Sequence, residues 1–495
     1  MEHSAQTAIL RRLGVAGLWL AIVAALVAIY SIRIGFPVYW HPDEPTKVPQ
    51  IMSGGYNFNH PQLLLRLTAI SKWLLGGADI PHDVALAGRA VSMICSALAA
   101  AAFGLLLARP FGIAFGIAAA LLIGLSPLVY ENAHYFKEDA TLLFAISLVL
   151  LALQIAEEKF SMAHLGLLGA AAGLAIAAKY IGVLMVLPVV TLLVVKRASP
   201  LQWAIVIGSL LAVVLAVNYP ALNRLDEVAT AFTREWGRVT AGQGPAIRDF
   251  RSPKILLTLW NTLPAIAIAL WIVCLAVRLR RLPGTVTAWA IAFMPLVFLV
   301  ALQMSVIKVD RYALPAAAMM LAAAVWVCAE ISRDLRPRQA AAFLGICLVI
   351  ASVSSARLFK ETFDGYVDDN RLRMIQWIRD KLPSDAVIAA DQLAGLPDPD
   401  NFAFDPSIPP LPQKVIRQGA FLGDTATIES LRAAGVTHVV VRMPAEFDFR
   451  QERPTLRQKF YLRLYADAKP VRIYIANGPV RRPAPVNLRL YDIRM

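Results

Sequence analysis

Apolar runs long enough to cross a lipid bilayer dominate the sequence. A helix needs about 20 predominantly apolar residues to span the hydrocarbon core. Eleven candidate spans occur, at 13–33, 84–107, 112–129, 140–156, 163–178, 180–195, 202–218, 255–277, 285–305, 312–330 and 340–357. Only 17% of the 495 residues are charged, and the mean hydropathy is +0.58. This composition excludes a soluble globular protein, a disordered chain and a disulfide scaffold, and it predicts an α-helical polytopic membrane protein.

Basic residues orient the predicted spans, because cytoplasmic loops carry an excess of Lys and Arg. With the N-terminus inside, the basic short loops all fall inside: Arg109, Lys159, Lys196 with Arg197, 278–281 and 333–338. Joining 163–178 and 180–195 into one tilted helix would place the later basic loops outside, so we prefer eleven spans. No small-residue cleavage site follows the first span, which we expect to remain in the protein. The sequence therefore predicts a multi-pass protein of the inner or plasma membrane.

The composition changes near residue 358. Residues 1–357 form the predicted membrane domain, and 358–495 contain no apolar run of membrane length. Within this tail, helical patterns and strand-like runs predict a small soluble α/β domain. The helical patterns occupy 367–382 and 425–434, and the strand-like runs occupy 386–390, 436–442 and 471–476. By parity, the tail and the two long loops, 34–83 and 219–254, face the periplasm or exterior, so we expect the chemistry there.

The first outer loop carries an acidic pair, Asp43 and Glu44, between Pro42 and Pro45. Prolines on both sides disfavour a regular helix, so we expect the pair on a constrained turn. Carboxylates this close to the bilayer are costly unless they are solvated or paired, which makes the pair a candidate site. An incidental acidic pair in a solvated loop is the alternative.

Other ionisable residues lie at the same predicted face. His60 precedes Pro61 and an amphipathic segment at 62–75, where it is a turn residue or a ligand. Arg89 lies at the outer end of the second span, where it could bind phosphate or extend to lipid head groups.

Two short outer turns are dense in charge. The first contains Lys137, Glu138 and Asp139, whose acids could also cap the following span. The second contains Lys308 and Arg311, which run against the positive-inside bias. A lipid phosphate is the partner expected at that depth, and generic head-group contact is the alternative.

In this order, these segments resemble the GT-C glycosyltransferases that use a polyprenyl-phosphate sugar as donor, such as aminoarabinose transferases and protein O-mannosyltransferases. The matching features are Asp43-Glu44, His60-Pro61, Arg89, Lys137-Glu138-Asp139, the Gly-rich span ending in Lys179-Tyr180, and the turn from Arg311-Tyr312 to Pro315. The sequence departs from the family pattern in two places. The basic residue after Asp43 is Lys47, one position later than in the family, and Glu138 and Asp139 are adjacent rather than spaced.

The resemblance implies a GT-C-like membrane fold and inverting transfer of a sugar to an acceptor hydroxyl on the outer face of the membrane. Asp43 would be the general base, and Glu44 would orient it or the acceptor. The implied ligands are Lys308, Arg311, Arg89 and Lys179 for the donor phosphate, His60, Lys137 and Tyr312 for substrates, and Asp43, Glu138 and Asp139, with help from His41 or His60, for a possible divalent metal. No other cofactor is implied. The partners would be a polyprenyl-phosphate sugar, a lipid, glycan or protein acceptor, and membrane lipids.

Two other functions remain open at this point. A transporter or flippase of a lipid-linked sugar would carry charges in mid-span, whereas the ionisable residues here crowd at outer helix ends. The second is a nucleic-acid or receptor role for the tail, since residues 450–495 contain eleven Lys or Arg against three Asp or Glu. Such a basic stretch could instead contact anionic head groups, an acidic acceptor or nothing specific. An outward location argues against nucleic acid as the partner.

Overall fold

The computed structural model describes residues 2–35, 43–241, 253–280, 284–305, 308–367, 369–391, 394–397, 408–416, 421–443, 456–475 and 487–494. Seventeen α-helices precede residue 368. They are α1 Glu2–Tyr30, α2 Glu44–Ser53, α3 Leu63–Leu75, α4 Pro81–Phe111, α5 Ile113–Gly124, α6 Pro127–Ala133, α7 Glu138–Glu158, α8 Met162–Ala178, α9 Val186–Val195, α10 Pro200–Val217, α11 Tyr219–Leu222, α12 Leu225–Ala241, α13 Lys254–Thr262, α14 Ala265–Arg280, α15 Val286–Gln303, α16 Leu314–Asp334 and α17 Pro337–Val367. Short 3₁₀ turns occupy Tyr180–Met185 and Asp310–Ala313.

Each of the eleven predicted spans overlaps a helix, but fewer helices could cross a bilayer alone. Among the described residues, five are long and apolar enough, namely Pro81–Phe111, Glu138–Glu158, Pro200–Val217, Val286–Gln303 and Asp310–Asp334. The number rises to seven if two bent helix pairs each count as one span. One pair is α5 with α6, bent by 63°, and the other is α13 with α14, bent by 113°.

The predicted span 255–277 is broken at Pro264. Leu263 before it is extended, with φ −107° and ψ 145°, the conformation that steric clash with a following proline favours. The break at Lys179, which is extended between α8 and the 3₁₀ turn, lies at the predicted boundary between 163–178 and 180–195. Hydropathy alone does not detect the break at Pro264, since the flanking residues are apolar.

Close helix packing depends on small residues. On α8, a Cβ at Gly169 would lie 2.3 Å from the carbonyl oxygen of Val206, and one at Gly173 would lie 2.5 Å from that of Leu210. The glycines therefore let α8 approach the backbone of α10. The centre of the bundle is α16, which is buried without interruption from Leu314 to Ala329, whereas α10 at the edge has one buried residue, Val206.

The tail contains a five-stranded sheet with helices packed on it. The strands are β1 Val387–Ala390, β2 Lys414–Ile416, β3 His438–Met443, β4 Lys469–Tyr474 and β5 Asn487–Asp492, in the order β2-β1-β3-β5-β4. Strands β2, β1 and β3 are parallel, and β5 pairs antiparallel with both β3 and β4. The helices are α18 Asn370–Lys381, α19 Ile428–Ala433 and α20 Leu456–Asp467.

The three predicted strands coincide with β1, β3 and β4, whereas β2, β5 and α20 were not predicted. Alternate strand residues pack on opposite sides of the sheet, with Ile388 and Val440 against α18, and Val439 against α20. Helix α17 continues ten residues beyond the predicted boundary at 357, to Val367.

Candidate active site

Glu44 and Arg89 form a fully buried ion pair. The Arg89 guanidinium donates to the Glu44 carboxylate at 3.0 Å and 2.7 Å, and also donates to the carbonyl of Ile34 at 2.7 Å. Glu44 further accepts a 2.9 Å hydrogen bond from the backbone N–H of Phe136. Both side chains are 0% exposed. The pair therefore joins the first outer loop, α4 and the second outer turn.

This arrangement bears on two expectations from the sequence. Arg89 and Glu44 are fully buried against each other, which favours a structural role for the pair over phosphate binding by Arg89 and over orientation of an acceptor by Glu44. Glu44 is also the first residue of α2 rather than part of a non-helical turn, because Pro45 occupies the first turn, where a missing N–H costs nothing.

Seven side chains of alternating charge form a continuous series of ion pairs at neighbouring helix ends. In order of contact they are Lys47, Glu138, Lys137, Asp43, Arg311, Asp139 and Lys179. We call this set the charge chain. Its four cations exceed its three carboxylates by one, so the chain leaves a formal charge of +1.

The contacts at the centre of the charge chain are close. Lys47 pairs with Glu138, and Lys137 pairs with Asp43 and lies 3.5 Å from Glu138. A terminal nitrogen of Arg311 lies 3.3 Å from an Asp43 carboxylate oxygen. Arg311 Nε lies 3.5 Å from Asp139, whose other oxygen accepts a 2.7 Å hydrogen bond from Lys179 Nζ. Asp43 and Asp139 are thus bridged by one guanidinium.

Breaks and helix ends bring these residues together. Asp43 directly precedes α2, and Glu138 and Asp139 occupy the first turn of α7, where the helix dipole favours carboxylates. Arg311 lies in the 3₁₀ turn before α16, and Lys179 is the extended residue after α8. Helix ends can hold charged groups outside the hydrocarbon core of a membrane, where a charge is costly.

The protonation of the loop residues follows from their surroundings. Burial lowers the pKa of Lys137, but the carboxylates of Glu138 and Asp43 outweigh it and hold that pKa above its ordinary value. Burial lowers the pKa of Lys47, and Glu138 only partly opposes this. Burial also lowers the pKa of His60 to about 3, so its imidazole is neutral near pH 7.

Two adjoining cavities open beside the charge chain. An apolar cleft of about 380 Å³ is lined by Asn59, His60, Asp139, Leu142, Lys179, Tyr180, Ile181, Val183, Phe232, Glu235, Trp236, Phe298, Ala301, Leu302, Ser305, Tyr312 and Pro315. A polar chamber of about 120 Å³ is lined by Asp43, Thr46, Lys47, Gln50, Asn57, Asn59, His60, Pro61, Leu65, Lys137, Glu138 and Glu235. The charge chain thus connects a polar chamber at Asp43 with an apolar cleft at Lys179.

The structure brings most of the predicted site residues together. Asp43, Lys137, Glu138, Asp139, Lys179 and Arg311 are in the charge chain, and His60 lines both cavities. Tyr312 lines the cleft, with Lys179 Nζ 4.8 Å from its ring centre. Lys308 is buried three residues before Arg311.

Sequence reasoning missed three residues that line the cavities. Lys47 was noted only as a departure from a family pattern, although its spacing from Asp43 could have indicated a role. Asn59 immediately precedes the recognised His60-Pro61 turn. Glu235 lies on the amphipathic helix α12 in the second long loop, where no motif distinguishes it.

The expected metal ligands do not fit a metal. Asp43, Glu138 and Asp139 each contact Lys or Arg side chains, and no group of three metal-ligating side chains occurs among the residues that the structure describes. His41 lies outside the described residues. Cationic side chains thus occupy the positions that a divalent ion would take beside these carboxylates.

Comparisons with known proteins place this arrangement in a familiar fold. The family model for dolichyl-phosphate-mannose-protein mannosyltransferases matches residues 59–222. The crystal structure of ArnT from Cupriavidus metallidurans bound to undecaprenyl phosphate is 15% identical, with 96% of this chain and 98% of that chain covered and a TM-score of 0.53. Its apo form gives 16% identity, the same coverage and a TM-score of 0.54.

The chain has the GT-C glycosyltransferase fold. The oligosaccharyltransferase of Archaeoglobus fulgidus also matches, at 12% identity and a TM-score of 0.52, over 86% of this chain and 70% of that chain. No curated protein sequence compared with the chain matches it significantly. The resemblance to GT-C enzymes is therefore confirmed for the fold, which is that of a multi-pass membrane protein.

Proposed function

We propose that this protein moves a sugar from a polyprenyl-phosphate donor to an acceptor hydroxyl on the outer face of the membrane. The observation that carries the proposal is the charge chain, which places a carboxylate, Asp43, in a polar chamber and a cation, Lys179, in the adjoining apolar cleft. Transfer from a lipid phosphate needs a base for the acceptor and cations for the leaving group.

The apolar cleft suits the lipid-linked donor. Phe298 and Leu302 of α15 and Trp236 of α12 line it and offer apolar surface to the isoprenoid chain. Lys179 supplies positive charge at the polar end, next to Tyr312 and Arg311. The formal charge of +1 on the charge chain matches the single lipid phosphate that would bind there.

The contacts of Asp43 suggest how donor binding activates the base. Lys137 and Arg311 both pair with its carboxylate, which makes it a weak base at rest. A donor phosphate competes for Arg311, and loss of that contact would raise the basicity of Asp43 once the donor is bound. Activation of the acceptor would thus depend on the presence of the donor.

The reaction is one displacement. The acceptor oxygen forms a bond to the anomeric carbon while the bond from that carbon to the phosphate oxygen breaks, which inverts the anomeric centre. The acceptor proton moves to Asp43, and the electron pair leaves with the polyprenyl phosphate, whose added negative charge Arg311 and Lys179 stabilise. Lys308 would add positive charge nearby.

The proposal places the reaction at the outer surface of the inner or plasma membrane. The predicted soluble domain at 358–495 would lie on the same side, where its exposed basic residues could meet a lipid, glycan or protein acceptor. Charges at outer helix ends suit chemistry at the surface better than passage through the bilayer, which favours transfer over the transporter alternative.

A transfer assay in detergent tests this function, because transport cannot occur there. The purified protein is incubated with undecaprenyl phosphate carrying glucose, mannose or arabinose, with water as the acceptor in place of the acceptor hydroxyl, and released undecaprenyl phosphate is measured. We expect release with at least one donor and a loss of about 10²–10⁴-fold in Asp43→Asn. The control is Asp79→Asn, an exposed aspartate of the same loop. Normal release by Asp43→Asn would contradict the assigned base.

A further inference from the structure

Glu235 lies at the boundary between the two cavities. Three residues line both the apolar cleft and the polar chamber, and they are Asn59, His60 and Glu235. Asn59 and His60 come from the first outer loop, whereas Glu235 comes from α12 in the other long loop. The boundary is therefore formed by two separate segments that meet over the charge chain.

The boundary is where the transferred sugar must lie, an argument that rests on the proposed function. The lipid and its phosphate would occupy the cleft, and the acceptor hydroxyl would approach Asp43 in the chamber. The anomeric carbon lies between the phosphate and the acceptor, so the sugar ring extends across the residues that both cavities share.

Contacts with the first loop hold α12 over this boundary. The Arg234 side chain donates to the Asn59 side-chain oxygen, and Phe232 packs edge-on against Tyr180 with ring centres 5.7 Å apart. The Tyr180 hydroxyl donates a 3.0 Å hydrogen bond to the carbonyl of Phe58. Residues 58–60, Tyr180 and α12 thus form one contact network around Glu235.

We infer that Glu235 recognises the sugar of the donor by accepting hydrogen bonds from its hydroxyl groups. An ionised carboxylate is an acceptor only, and two oxygens can serve neighbouring hydroxyls. Neutral His60 and the Asn59 amide can each donate and accept, which complements a polyhydroxylated ring. Glu235 occupies a half-buried position on α12, where it lines both cavities.

Sugar recognition makes a specific prediction about binding. Hydrogen bonds from sugar hydroxyls to the Glu235 carboxylate contribute to the binding of sugar-bearing donors only, because undecaprenyl phosphate without a sugar has no such hydroxyls. Glu235→Ala should weaken binding of a sugar-bearing donor by roughly 10-fold or more, and should change binding of bare undecaprenyl phosphate less than about 2-fold. Glu235→Gln, which keeps one acceptor oxygen, should lie between.

The experiment compares four lipids on detergent-purified full-length protein. They are undecaprenyl phosphate and the same lipid carrying glucose, mannose or arabinose. The matched control is Glu227→Ala, because Glu227 is an exposed carboxylate of the same helix that lines neither cavity. The expected result is a wild-type preference for one sugar-bearing lipid that Glu235→Ala loses and Glu227→Ala keeps.

The outcomes separate this inference from the proposed function. Failure of the wild type to bind any of the four lipids would count against the function itself. A wild type that binds bare and sugar-bearing lipids equally, or a Glu235→Ala variant that keeps the sugar preference, would overturn the role of Glu235 alone. Equal losses for bare and sugar-bearing lipids would show that Glu235 only supports α12.

Discussion

A terminal nitrogen of Arg311 lies 3.3 Å from the Asp43 carboxylate, although 268 residues separate the two in the chain. The same guanidinium reaches Asp139, which in turn binds Lys179. Arg311 therefore links the acid of the polar chamber to the cation of the apolar cleft. In the proposed reaction this contact restrains the base and gives the leaving phosphate a partner when the donor binds.

Arg311→Ala should reduce turnover by about 10²-fold or more, because it removes a cation from the developing phosphate charge. Arg311→Lys should retain only part of the activity. The ammonium keeps the positive charge, but it cannot bridge Asp43 and Asp139 as the guanidinium does. Release of undecaprenyl phosphate from the sugar-bearing donors measures both effects. Arg336→Ala, at an exposed arginine after α16, is the control. Turnover above half the wild-type value in Arg311→Ala would contradict the assignment.

Glu44→Ala should destabilise the protein, because it leaves the Arg89 guanidinium buried without its carboxylate partner. Removing one member of a buried ion pair costs about 3–5 kcal/mol. We expect a lower midpoint of thermal unfolding and a lower yield of monodisperse protein. The double variant Glu44→Leu/Arg89→Met should recover much of this loss, since it removes both charges. A stable Glu44→Ala variant that loses only turnover would instead support the role in orienting the base or the acceptor that the resemblance implies for Glu44.

The sequence was most informative about which residues lie at the same membrane face, because span counting and the positive-inside rule apply along the whole chain. Counting spans and placing basic loops inside put Asp43, Asp139 and Arg311 at the same membrane face, and the structure brings them into contact. The rule could not show that Glu44 and Arg89 pair with each other. A separation of 45 residues carries no information about which of several nearby cations a carboxylate contacts.

Other features depend on tertiary contacts that leave no pattern in the sequence. Glu235 is one of several charged residues on α12, and only folding brings it to the cavities. In the tail, β2 has three residues, too few to show an alternating pattern, and β5 is recognisable mainly by its pairing with β3 and β4.

Gly169→Ala should destabilise the bundle, because the added methyl group would lie 2.3 Å from the carbonyl oxygen of Val206. The contacting atom is backbone, so α8 and α10 must move apart. Overpacking of this kind costs about 1–3 kcal/mol. The control is Gly208→Ala on α10, where a Cβ meets nothing within 4 Å, and which should be neutral or stabilising. Equal thermal midpoints for the two variants would contradict the close helix contact.

His60 should make the protein less stable in mild acid. Its folded pKa of about 3 lies far below the ordinary value of 6.5, chiefly because the ring is buried, with Lys137, Lys47 and Lys179 adding to the effect and Glu138 opposing it. Between these two values the unfolded chain binds a proton that the folded chain does not. Stability therefore falls as pH falls below about 6.5 and is constant above it.

Lowering the pH from 7 to 5 should cost about 2 kcal/mol through His60 alone. His60→Gln cannot take up this proton, so its thermal midpoint should fall less than that of the wild type over the same interval. The measurement is thermal unfolding of both proteins in detergent at pH 5, 6 and 7. Above pH 7 the difference between their midpoints should stay constant, because His60 is neutral in both states. Parallel pH dependence of the two proteins from pH 7 to 5 would contradict the low folded pKa of His60.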